Sequence, residues 1–279
     1  MTRTRLVVNA DDLGLHPALD AGILRAHREG IVTSATVLVM GPSAPEAVAR
    51  AREQGLALGV HLALSTRLVP AAPPERVPTL APGGRLRASW ADFARAWLTG
   101  RVRGEELERE LAAQLERARA LGAEVDHLDA HQHLHLLPGV RPRVEALARR
   151  ERLPVRWPDR LPHASWWRTP GPAVKTTLLT LLARAAPRPP AGVRRVSAGG
   201  VFEAGRLSES TLLALLGSLP PGDFELGCHP GEGHPHVPED PVWTYGWQSE
   251  LDALTSPRVR ERARSAGVEL TTYGALSAT

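Results

Sequence analysis

Cysteine is all but missing from this 279-residue chain, which has Cys228 alone. A single thiol excludes an internal disulfide framework and any structural zinc site built from cysteines. Long apolar runs are missing as well, and no stretch reaches the ~18 residues that a membrane span needs. Met1-Thr2-Arg3-Thr4-Arg5 runs straight into a strand-like segment, without the apolar stretch of a secretory leader, so a cytoplasmic protein with no membrane partner is expected. Lysine and asparagine occur once each, as Lys175 and Asn9, and aromatic residues make up only 4%. The isoelectric point near 10.1 follows from arginine replacing lysine, because 34 cations face 30 anions. The arginines share helices with glutamates, as in Glu105 to Glu110, and form no basic stripe interleaved with aromatics. Nucleic acid is therefore not an expected partner. A hydrophobic content of 43% with a net charge of +4 excludes disorder as the main state.

What is present alternates from end to end. Strand-like runs at Arg5–Ala10, Thr33–Met40, Leu58–Leu64, Val125–Ala130, Leu153–Trp157, Val193–Ser197, Phe224–His229 and Val268–Tyr273 are separated mostly by helical patterns. The helical patterns cover Pro17–Glu29, Ala44–Gln54, Gly104–Gly122, Val140–Arg150, Gly171–Ala185 and Leu207–Leu216. Repeated strand–helix units imply a parallel sheet covered by helices, and seven or eight of them favour a (β/α) barrel of the TIM type. One domain over residues 1–279 is expected, with loop insertions around 65–103 and 158–192. The first insertion holds five prolines between Ser65 and Arg87. A barrel places functional residues at the C-terminal ends of its strands.

The titratable residues fall there. Asp11 and Asp12 end the first strand, His61 lies late in the third, and His131, His133 and His135 follow the strand ending at Ala130. His229 ends the strand that begins at Phe224. Adjacent aspartates are also common as turns and helix caps, and a strand histidine is often a satisfied core group. Buried runs that each end in a titratable group need compensation, however, and a divalent cation supplies it. His16, His27 and His163 lie away from strand ends and suit surface or packing roles. His234 and His236 are either solvated or line the same mouth.

Several segments resemble the YdjC-like carbohydrate deacetylases, the group that contains chitooligosaccharide deacetylases. They are Val8-Asn9-Ala10-Asp11-Asp12-Leu13-Gly14, Gly30 to Thr36 (GIVTSAT), Gly59-Val60-His61-Leu62, His127 to His135 (HLDAHQHLH) and Cys228-His229-Pro230-Gly231. They occur in family order over residues 6 to about 231, with Gln132 where some members carry histidine. The resemblance implies a distorted (β/α) barrel that removes acetyl groups from N-acetylated sugars. It also implies one divalent metal held by Asp12, His61 and His131, with Asp11 as base. Magnesium is the metal commonly described for the family, whereas two imidazoles and a carboxylate suit zinc, manganese or cobalt.

The expected chemistry is metal-assisted amide hydrolysis, with Asp11 taking a proton from water and His229 protonating the leaving amine. His133 is the reserve acid or orients a ligand, and Arg156 is placed to pair with Asp11 and hold it ionised. The substrate class is an acetylated amino sugar, and a homodimer is compatible with the sequence. Two rivals remain. A metal-dependent phosphoesterase on the same barrel would need a second ion, supplied with ligands from His133, His135, His234 and His236. A non-catalytic sugar-binding barrel would need an incomplete polar set. Trp90, Trp97, Trp157, Trp166, Trp167, Trp243 and Trp247 are the only hint of sugar contact, through stacking on apolar sugar faces.

Overall fold

The computed structural model describes residues 3–160, 170–237 and 245–277. Eight parallel strands form its sheet: β1 (Thr4–Leu13), β2 (Ser34–Val37), β3 (Ala57–Leu62), β4 (Val125–Ala130), β5 (Val155–Trp157), β6 (Arg195–Gly199), β7 (Gly222–Cys228) and β8 (Val268–Leu270). Seven of them close into a ring, because β1 pairs with both β7 and β2. The first three residues of β1 also pair with β8, which lies outside the ring. β1 can have three neighbours because its contact with β2 begins only at Asn9. The expected barrel is therefore present, with its eighth strand as an external flank.

Around the ring run α1 (Pro17–Glu29), α2 (Ala44–Glu53), α3 (Trp90–Leu98), α4 (Gly104–Ala120), α5 (Val140–Glu151), α6 (Pro170–Ala185), α7 (Glu209–Ser218), α8 (Trp247–Thr255) and α9 (Pro257–Ser265), with α10 (Tyr273–Ser277) ending the described chain. α1 starts where the sequence indicates: the His16 side chain accepts the Ala18 N–H and Pro17 fills the first turn. None of the helices formed by described residues is long and apolar enough to cross a membrane.

Strands buried on both faces read as unbroken apolar runs. Leu6, Val8 and Ala10 of β1 enter the large apolar cluster between sheet and helices, while Val7 faces inward against Val196, Tyr273 and Leu276. Asn9 and Asp11 share the inward face of Val7 by strand alternation. The ring interior is thus apolar only near its floor and becomes polar toward the strand C-termini.

Three expectations change. The strand expected over Thr33–Met40 stops at Val37, because after the last ladder bond, from the Leu38 N–H to the Leu13 carbonyl, Gly41 closes a turn back onto Leu38. The final strand stops at Leu270, and Tyr273 begins a helix instead. α3, α8 and α9 are additional to the helical patterns of the sequence; α9 carries only Val259 and Ala263 on its buried face among arginines, too few for the periodicity to show.

The proline-rich segment after β3 is clamped by α4. Gln114 of α4 bonds the Ala63 N–H at 2.9 Å and its C=O at 2.7 Å, Glu110 accepts Ala71 and Ala72 at 2.8 Å each, and Glu106 accepts Thr79 at 2.7 Å and Leu80 at 3.1 Å. These carboxylates look like a solvated face in sequence, yet they satisfy the backbone of a loop. His163, Trp166, Trp167 and Trp243 lie outside the described residues.

Candidate metal centre

Strand alternation alone would aim Asp11 into the ring and Asp12 away from it. A bulge prevents this. Asp12 adopts left-handed backbone with φ 67°, and the β1–β2 register slips between Ala10 and Leu13. Bulges re-aim side chains at the rims of barrels. Gly14 follows at φ 93°, where a Cβ would sit 2.7 Å from the Ala44 Cα. Both carboxylates therefore reach the barrel mouth, and both are buried.

His61 comes from β3 and lies in register with Asp129 of β4. Its Nδ1 is 2.7 Å from Asp129 Oδ1, and since a carboxylate only accepts, Nδ1 carries the hydrogen and Nε2 turns to the mouth. There Nε2 is 3.3 Å from Asp12 Oδ1. His131 follows β4 in a short 3₁₀ segment, His131–Leu136, and its Nδ1 lies 3.1 Å from Asp12 Oδ1 and 3.3 Å from His61 Nε2. Three ligand-type atoms from three strand ends thus form a triangle with edges of 3.1–3.3 Å.

Atoms bound about 2.0–2.2 Å from one cation lie roughly 3.0–3.5 Å apart, so the triangle fits a shared ion, as does its donor set of two imidazoles and a carboxylate. Without a cation, burial pushes the His61 pKa down, but the Asp129 and Asp12 carboxylates outweigh it and carry the value to about 9. Burial likewise pushes Asp12 up, and His61 and His131 win by holding it below its ordinary value. A proton and a metal ion compete for the same imidazole lone pair.

Beneath the triangle lies Arg156 of β5, buried and enclosed by carboxylates. Its two terminal nitrogens reach Asp11 Oδ1 and Oδ2 at 2.6 Å each, Nη1 is 2.8 Å from Asp129 Oδ2, and Nε is 2.6 Å from Glu225 Oε1. Burial tends to raise the Asp11 pKa, but the guanidinium holds its carboxyl well below the usual carboxylate range. Asn9 Nδ2 donates to Asp11 at 2.9 Å, and Thr36 donates to Asp129 at 3.1 Å. Asp11, His61 and Asp129 form a second cluster of ligand-type atoms. Arg156 already supplies the positive charge there.

A cleft of about 170 Å³ opens over this assembly. His229, at the end of β7, puts Nε2 3.8 Å from Asp11 Oδ2 and packs edge-on against Tyr245, with 4.9 Å between ring centroids. Buried Glu250 of α8 accepts the His229 backbone N–H at 2.7 Å. His133 also lines the cleft, and burial pushes its pKa well below the ordinary imidazole value. Left-handed backbone at Gln132 and His133, both φ 56°, breaks the alternation expected for His131, His133 and His135. His135 turns away from the mouth, with Nε2 3.1 Å from the Arg156 carbonyl. His27 bonds the Val32 and Gln54 carbonyls, a packing role. Neither His234 nor His236 joins a cluster of ligand-type atoms among the described residues.

The sequence matches the family described as YdjC-like protein over residues 5–265. The chain belongs to this family. A carbohydrate deacetylase from Mus musculus is 35% identical over 295 aligned positions, covering 96% of this chain and 93% of that one. One from Brevibacillus brevis is 41% identical over 156 positions, and there the alignment spans 55% of this chain and only 59% of that relative. A solved structure from Enterococcus faecalis, described as a cellobiose-phosphate cleavage protein, superposes with a TM-score of 0.79 at 29% identity over 99% of both chains. That likeness runs the length of the described fold.

Asp129, Glu225 and Thr36 join the site without having been candidates in the sequence. Asp129 had a signal, since it sits two residues before His131 at the end of a buried strand. Glu225 had one too: a carboxylate inside the apolar run Phe224–Cys228 requires a buried partner.

Proposed function

We propose that this YdjC-like chain is a metal-dependent carbohydrate deacetylase, hydrolysing the acetamide of N-acetylated amino sugars, chitooligosaccharides among them. The convergence of Asp12, His61 and His131 carries the proposal. Three lone-pair donors held 3.1–3.3 Å apart and buried repel one another unless a cation or proton lies among them. A divalent cation held there supplies Lewis acidity, polarising the acetyl carbonyl and making nearby water more acidic.

The chain's own residues supply the proton transfers. Asp11 is ionised and immobilised by Arg156; its Oδ1 is occupied by Arg156 and Asn9, and its Oδ2, bonded by Arg156 Nη1, keeps a lone pair for the proton of an attacking water. His229 is placed to protonate the departing amine nitrogen from Nε2, since an amine leaves poorly as an anion. β1 and β7 are neighbours, which brings base and acid to adjacent strand ends. His133 stays neutral by burial and suits a contact to a sugar hydroxyl. Trp90, 50% exposed at the lip of the cleft, offers an indole face to a sugar ring.

The phosphoesterase reading needs a second ion, and the second acidic cluster is already matched by a guanidinium. Two imidazoles and one carboxylate favour zinc, manganese or cobalt over magnesium. The test is acetate release from N-acetylglucosamine and its oligomers by protein loaded in turn with each of the four ions, with metal analysis of the same samples. Acetate release with about one ion per chain supports the reading. Two ions per chain and turnover of phosphate esters alone overturn it.

A further inference from the structure

The family match ends at residue 265, yet the barrel floor is closed by residues beyond it. After β8 the chain turns under the ring. The Thr271 N–H bonds the Leu6 carbonyl at 3.0 Å, and the Gly274 N–H bonds Asp126 Oδ2 at 2.9 Å. These contacts send Tyr273 upward, fully buried, against the inner face of the sheet. Its ring lies flat on His127, 3.8 Å between centroids and 6° between planes, and His127 is itself tied to Asp126 Oδ1 at 2.7 Å. Gly59 leaves the room this stack requires, for a Cβ there would come within 2.3 Å of the His127 ring.

The Tyr273 hydroxyl donates to Glu225 Oε2, and Glu225 Oε1 accepts from Arg156 Nε. From Arg156 the contacts divide. One branch reaches Asp11, and the other reaches Asp129 and through it His61. A guanidinium is a rigid planar fork, so fixing its Nε edge fixes where its terminal nitrogens point. Glu225 can hold that edge only while its far oxygen is also satisfied, because a buried carboxylate lacking one partner is costly. In the described structure that partner is a single phenol contributed by the C-terminal segment.

We propose that Tyr273 is a positioning residue of the active site, acting through Glu225 and Arg156 to fix both Asp11 and the Asp129–His61 pair. This rests on the roles given above to Asp11 and His61. The last strand and helix then belong to the catalytic assembly as well as to the floor.

The experiment compares Tyr273→Phe, Glu225→Gln and the double variant with the parent protein. Steady-state deacetylation and calorimetric titration with zinc ion are measured on each. For both single variants kcat falls about tenfold with KM unchanged, and zinc ion binds about tenfold more weakly, as expected when a residue behind a metal ligand is altered. The double variant is no worse than the weaker single one, because both changes cut one line of contacts. A folded Tyr273→Phe protein with parental kcat and zinc affinity overturns the proposal, even if its melting temperature drops. So do losses that add in the double variant. If Tyr273→Phe does not fold, Glu225→Gln alone decides by the same two readouts. Should the parent release no acetate, the deacetylase reading fails, and the zinc affinities still decide the role of Tyr273.

Discussion

The mouth of the barrel and its interior hold the same kinds of side chain in opposite states. In the interior, Arg156 is surrounded by Asp11, Asp129 and Glu225, and Asp129 also serves His61 and Thr36, so each charge meets an opposite charge or a donor. At the mouth, Asp12, His61 and His131 turn ligand atoms toward one another across 3.1–3.3 Å. Saturated polar groups hold a shape. Converging acceptors are waiting for something positive, and that difference separates the proposed ligands from the residues that set them in place.

Removing a mouth ligand should have the largest effect. His61→Ala or His131→Ala is expected to lower acetate release by about 10³-fold or more, the several kcal/mol that a catalytic cation contributes. Without added metal His61→Ala should also cost stability, because the Asp12 and Asp129 carboxylates that hold its imidazole protonated lose their partner. Asp129→Ala is the interior counterpart. It takes the buried acceptor from His61 Nδ1 and from the Thr36 hydroxyl, while Arg156 keeps Asp11 and Glu225, and should destabilise the fold by about 3–5 kcal/mol in urea unfolding.

Asp20 sharpens the contrast through pH, as a buried carboxylate held largely by hydrogen bonds. Its Oδ1 accepts the Gly14 N–H at 2.6 Å, and burial raises its pKa to about 6 against the opposing Ser43 and Gly14 bonds and the Arg50 charge. A folded pKa above the unfolded one means that its contribution is complete below pH ~4 and is lost as pH rises through 6. Asp20→Asn should therefore gain on the parent by about 3 kcal/mol between pH 4 and pH 7, measured by urea unfolding across that range. The smallest effect belongs to the rim. Trp90→Ala should raise KM for N-acetylglucosamine oligomers several-fold, about 1 kcal/mol of stacking, with kcat unchanged.

Much of the barrel was legible because parallel strands buried on both faces announce themselves as short apolar runs, and β1, β3 and β7 did so. The five residues Asp11, Asp12, His61, His131 and His229 were legible as well, since each is titratable where such a run ends. What the sequence concealed was local backbone. Nothing in Ala10-Asp11-Asp12 signals a left-handed aspartate, and nothing in His131 to His135 signals the two left-handed residues that turn His135 away from the mouth. Long-range pairing was hidden too. Glu106, Glu110 and Gln114 look like an ordinary solvated helix face until the loop they clamp is placed. Tyr273 looks like a strand end until it is seen under Glu225.

Calorimetric titration of the metal-stripped protein with zinc ion, beside Asp12→Ala, His61→Ala and His131→Ala, tests the three-residue centre most directly. A cation shared by these three side chains gives about one ion per parent chain and no saturable binding in any of the three variants. Binding of the same ion at parental affinity after loss of any one of these side chains would contradict it.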